Sequence, residues 1–117
     1  MTRLLQVVLS IVLASSTVAA HAEQNLAKKL APGESHEECF SMKAGQRLSY
    51  SFESDVNLDF NVHYHVGEDV TYPVRKDGTR REQGELQVTV PQDYCLLWLN
   101  SGRSPSLLTY SFEVQQK

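Results

Sequence analysis

From Leu48 onward the chain alternates with a period of two, and this pattern limits its fold more than any other feature. Leu48, Tyr50 and Phe52 share one parity, while Arg47, Ser49, Ser51 and Glu53 share the other. After Ser54-Asp55, the run Leu58, Phe60, Val62, Tyr64 and Val66 repeats the pattern against Asp59, Asn61, His63 and His65. Strand side chains point alternately to opposite faces, so this spacing predicts strands packed on one side and solvated on the other. A helix would scatter the same polar residues around its circumference.

The remaining segments extend that expectation. Residues 70–75 face residues 80–83 across Lys76-Asp77-Gly78-Thr79, where Asp-Gly predicts a tight hairpin turn. Pro73 has no N–H to give a ladder, which makes the first arm an edge strand. Leu86, Val88 and Val90 alternate in the next strand, and Pro91-Gln92-Asp93 ends it. Residues 94–99 are apolar on both parities, as in a central strand covered on two sides. Residues 100–105 read as a loop, and Leu108, Tyr110, Phe112 and Val114 mark the last strand. Upstream, residues 35–41 form a strand carrying Cys39, and residues 25–30 a short strand or a frayed helical turn. Seven or eight short strands without a long helical pattern predict an all-β fold, an antiparallel β-sandwich of jelly-roll-like form.

The N-terminus reads as an export signal. Arg3 precedes an apolar stretch from Leu4 to Leu13, and Ala20-His21-Ala22 suits signal-peptidase cleavage. Residues 1–22 are thus expected to be a leader and residues 23–117 a single domain, in the periplasm or secreted. The leader is too short to span a bilayer, so the mature chain is expected not to cross a membrane. Without Arg3 the mature chain carries 10 basic against 14 acidic residues, a formal charge of −4. That balance argues against nucleic acid as a partner. Cys39 and Cys95 both fall in the exported part, where a cysteine pair is usually bridged, and one disulfide is expected.

Several of these segments, taken in order, resemble the GOLD (Golgi dynamics) domain. They are Glu37-Glu38-Cys39-Phe40, the stretch from Gly45-Gln46-Arg47-Leu48 to Phe52, Leu58-Asp59-Phe60-Asn61-Val62, the Asp77-Gly78 turn, Pro91-Gln92-Asp93-Tyr94-Cys95 leading to Asn100, and Leu108-Thr109-Tyr110-Ser111-Phe112. The resemblance implies a β-sandwich with a disulfide and a general role in protein or lipid interaction. It brings no catalytic residues.

Three groups of residues carry candidate chemistry. His63 and His65, at i and i+2, project from one strand face, and Asp59 extends the row. Neutral imidazoles so spaced can chelate copper or zinc, with the carboxylate as a third ligand. A solvated polar face explains the same residues without a metal. Arg75, Lys76, Arg80 and Arg81 surround the Asp77-Gly78 turn and offer a cationic tip to an acidic partner or an anionic headgroup. Tyr72 beside Pro73 is the aromatic expected to be exposed, and its edge can accept a partner strand. Trp98, the only tryptophan, is expected in the core.

No Gly-x-Ser-x-Gly elbow, His-Glu-x-x-His helix or phosphate-binding loop occurs, and Glu37 and Glu38 are adjacent strand residues that face opposite ways. The sequence therefore reads as a non-enzymatic binding or interaction module for an unknown protein, envelope glycan or lipid headgroup. No cofactor is required. A periplasmic copper- or zinc-binding protein using the His-x-His strand is the alternative.

Overall fold

The computed structural model describes residues 21–116, so the expected leader, apart from His21 and Ala22, lies outside the described residues. Six antiparallel strands follow one another: β1 (His21–Leu30), β2 (Ser35–Met42), β3 (Arg47–Val66), β4 (Asp69–Gln87), β5 (Gln92–Leu99) and β6 (Ser106–Gln115). They form one sheet in the order β1-β6-β3-β5-β2, with β4 on the other edge of β3.

The 20-residue strand β3 organises the molecule. Residues 47–54 pair with β6 and residues 59–63 with β5, both on the edge opposite β4. Between these stretches the strand bends, and the sheet curls so that its two halves face each other. Even-numbered positions along β3, β5 and β6 point inward. Leu48, Phe52, Leu58, Phe60, Val62, Leu96, Trp98 and Leu108 are all buried. Across the curl, Trp98 meets Tyr110 with ring centroids at 4.7 Å and Phe52 meets Phe60 at 4.8 Å. Each such side chain stabilises the fold by about 1.5–3 kcal/mol through burial. Trp98 Nε1 finds no hydrogen-bond partner among the described residues, so ring packing alone holds that side chain.

The strand count among the described residues is six where seven or eight were expected, because two presumed breaks are bulges and the strand expected from Leu86 to Val90 is the end of β4, which stops at Gln87. At Ser54-Asp55 the chain bends without leaving the sheet. Residues 54–57 stand opposite Arg80 alone, between the pairs Glu53–Arg81 and Leu58–Thr79. Asp55 Oδ1 accepts the Leu107 N–H at 2.8 Å, and the Ser54 and Ser106 hydroxyls bond at 2.7 Å, so β6 ties the bend down. Asp77-Gly78 likewise does not turn a hairpin. The two residues oppose Asp59 alone, Gly78 takes φ 64°, and its N–H donates to Asp59 Oδ1 at 2.9 Å. A residue tolerant of positive φ serves a bulge as readily as a turn. The hairpin reverses at Gly67-Glu68 instead, and β1 is a full strand where only a short one or a frayed turn was expected.

A second glycine is fixed by contact. Gly84 pairs with Tyr50, and a Cβ there would sit 2.5 Å from the Tyr50 hydroxyl oxygen. Burial, with the Glu82 carboxylate adding to it, pushes the Tyr50 phenol above its ordinary pKa. The Cys39–Cys95 disulfide joins directly opposed residues of β2 and β5, as expected from export and cysteine count. Closing a loop of this length is worth about 4 kcal/mol in the chain-entropy account.

Candidate functional site

The inward and outward faces of β2 separate its two neighbouring glutamates. Glu38 faces in, where its Oε1 accepts the Tyr110 hydroxyl at 2.7 Å and lies 3.0 Å from His36 Nε2. His36 Nε2 is also 2.7 Å from the Tyr110 oxygen, and its ring stacks on Trp98. This network bonds β2 to β6 across the curl. Glu37 faces out and reaches His63 on β3, with Oε1 3.1 Å from Nε2.

His63 is therefore not an open ligand. It is buried, and its Nδ1 lies 2.7 Å from Asn61 Oδ1, so both ring nitrogens already have oxygen partners. His65 packs edge-on against it, with centroids at 5.2 Å, and is exposed. Asp59 turns to the Gly78 N–H of the β4 bulge. His36 sits on the opposite face of the sheet and does not join His63. Among the described residues, the group whose spacing resembles a metal site is Glu37, His63 and Cys95, but Cys95 is in the disulfide and offers no thiolate.

The basic cluster does not crown a hairpin tip. It lies along β4, whose other edge pairs with no strand among the described residues. Arg75 pairs with Asp77 at 3.4 Å, Arg81 with Glu53 at 3.0 Å, and Arg80 Nε donates to Asn57 Oδ1 at 3.3 Å. Lys76 is exposed. Tyr72 is 46% exposed as expected, and the Arg75 guanidinium lies over its ring at 5.6 Å. Three of these four cations are thus engaged within the chain.

The feature sequence reasoning missed is the loop between β5 and β6. Its first residue, Asn100, is fully buried. Its backbone N–H donates to Glu34 O at 2.9 Å, and its carbonyl accepts the Gly33 N–H at 2.7 Å. Its Nδ2 donates to Leu30 O and Ser104 O at 3.0 and 2.8 Å, and its Oδ1 accepts the Gly102 N–H at 3.1 Å. One side chain thus ties the loop to itself and to the end of β1, while the backbone ties it to the β1–β2 turn.

The tip presents Arg103, exposed to solvent on an anchored backbone. Among the described arginines, Arg47, Arg75, Arg80 and Arg81 each have a partner in the chain, and Arg103 has none. The loop also borders the β3 bend, because Ser106 and Leu107 bond Ser54 and Asp55. Arg80 reaches the same bend at Asn57. A signal was present in the sequence: Asn followed two residues later by Gly is the spacing of an Asx turn, in which the amide oxygen accepts the i+2 N–H.

No family model matches the chain, and no curated protein matches its sequence. Among solved structures, it is similar to PliG from Aeromonas hydrophila, a periplasmic lysozyme inhibitor of g-type lysozyme. The TM-score is 0.60 and the identity 17%, over 87% of this chain and 93% of that one. At this identity the likeness is one of fold.

Proposed function

We propose that the protein is an exported, non-catalytic inhibitor module that docks on the acidic cleft of a lysozyme-type glycan hydrolase. The observation that carries this reading is the Asn100-anchored loop with its unpaired Arg103. Glycoside hydrolases mostly work with paired carboxylates flanking the scissile bond. A guanidinium is the side chain best shaped to hold such a carboxylate through two parallel hydrogen bonds. Because the loop is already ordered, binding loses little conformational entropy, which favours affinity. Arg80 and Arg81, on the strand beside the β3 bend, add positive potential that steers an acidic partner toward this end.

The fold similarity to a periplasmic lysozyme inhibitor supports a protein partner, and the disulfide supports export. The GOLD resemblance, which implies a role in protein or lipid interaction, is compatible with the same reading. The copper or zinc reading has less support: His63 would have to release Glu37 or Asn61, and Asp59 the Gly78 N–H.

Lysis of a bacterial cell-wall suspension by g-type lysozyme, and in parallel by lysozymes of other types, tests the proposal. The protein is expected to slow at least one of them in proportion to its concentration, and Arg103→Glu is expected to relieve the inhibition. Unchanged lysis by every lysozyme would overturn the reading.

A further inference from the structure

The outward face of β2, β5 and the second half of β3 holds chemistry that docking through the β5–β6 loop does not use. Cys39 and Cys95 oppose each other there, but the two residues are not equally exposed. Cys39 is exposed, whereas Cys95 is 8% exposed. On its other side Cys95 is paired with His63 of β3. The ligand atoms of His63, Glu37 and Cys95 all lie within 4.8 Å of one another.

His63 has an oxygen at hydrogen-bond distance from each ring nitrogen, Glu37 Oε1 at Nε2 and Asn61 Oδ1 at Nδ1. Glu37 from β2 and Asn61 from β3 thus hold the ring in place beside the Cys95 sulfur, where its protonated form can offset a developing charge. The remaining titratable neighbours of that ring are His65 on its own strand and Tyr72 on β4. A histidinium beside a sulfur stabilises its thiolate, and in thiol–disulfide exchange the more stable thiolate leaves faster.

We propose that the Cys39–Cys95 bridge is a thiol-exchange site that takes small monothiols at Cys39 and expels Cys95. An attacking thiolate forms a new S–S bond to Cys39 Sγ as the Cys39–Cys95 bond breaks. The electron pair of the broken bond passes to Cys95 Sγ, which becomes a thiolate ion-paired with the His63 imidazolium. A second thiolate then attacks the sulfur of the small thiol in the mixed disulfide and releases Cys39 as its thiolate. In sum, two small thiols are oxidised to their disulfide and the protein bridge is reduced to two cysteines. Since β2 and β5 pair along eight residues, the ladder survives while the outer face carries the thiol adduct of the mixed disulfide, until the second exchange removes it.

The test uses the oxidised full-length chain in native buffer with about 5 mM glutathione, quenched in acid, alkylated and mapped by mass spectrometry. The expected first product carries glutathione on Cys39 and the alkyl label on Cys95. Its formation is expected to be about tenfold slower in His63→Gln and about threefold slower in Glu37→Gln. The ratio of wild-type to His63→Gln rates is expected to be larger at about pH 6 than at about pH 8, since only a protonated imidazole offsets the charge on the leaving sulfur. A packing role alone would leave that ratio flat. Should His63→Gln fail to fold, Glu37→Gln at an exposed carboxylate and the wild-type product map decide. Glutathione on Cys95, a bridge that resists glutathione until the protein is denatured, or wild-type rates in the folded variants would each overturn the proposal.

Discussion

Two cationic regions lie near the β3 bend, and they differ in what their charges do. Along β4, Arg75, Arg80 and Arg81 are conspicuous in the sequence, and each is bound by Asp77, Asn57 or Glu53 within the chain. On the β5–β6 loop a single arginine, Arg103, looks unremarkable in the sequence and has no partner among the described residues. The difference teaches that a count of charges locates basic segments, but their availability depends on what the fold sets opposite them. A guanidinium already held by a carboxylate at about 3 Å must give up that bond before it can serve a partner.

The comparison can be broken most severely at its anchor. Asn100→Ala removes three side-chain hydrogen bonds at a fully buried position and strands the Leu30 and Ser104 carbonyls and the Gly102 N–H. A loss of about 3 kcal/mol is expected in urea unfolding, together with the loss of inhibition. Arg103→Glu separates function from stability. It is expected to weaken partner binding by about 100-fold, or about 2.7 kcal/mol, while urea unfolding changes by less than about 0.5 kcal/mol. The double charge reversal Arg80→Glu/Arg81→Glu is expected to cost about three- to tenfold in affinity. Stopped-flow measurement should find that loss mainly in the association rate, and it should shrink with added salt. Arg75→Glu, whose guanidinium lies between Asp77 and the Tyr72 ring, is expected to change affinity by less than about twofold.

Much of the fold was legible before any coordinates. The parity of Leu48, Tyr50, Phe52, Phe60 and Val62 assigned the inward face, and Trp98 took its place in the core. The cysteine pair gave the bridge between the second and penultimate strands. The misreadings were local. Ser54-Asp55 and Asp77-Gly78 carry the residue types of turns, and those residues serve equally well in bulges. Which one forms is decided by cross-strand partners distant in sequence, here Leu107 and Asp59.

The candidate site was legible only in part. Its charges could be seen, but the anchor joins Asn100 to Leu30, 70 residues away, and no local pattern announces that contact. The same holds for Glu37 and His63, which meet only because β5 brings β2 and β3 to its two edges. Strand parity correctly put the two glutamates on opposite faces. It could not show that one would bind His36 and Tyr110 while the other bound His63.

The most direct test of the loop as the docking element is titration calorimetry with each lysozyme type of the lysis assay, comparing the wild type, Arg103→Glu and Arg75→Glu. The account predicts that the wild type binds at least one of them at micromolar concentration or tighter. Affinity should fall about 100-fold for Arg103→Glu and stay within about twofold for Arg75→Glu. No binding by the wild type, or equal losses from the two substitutions, would contradict it.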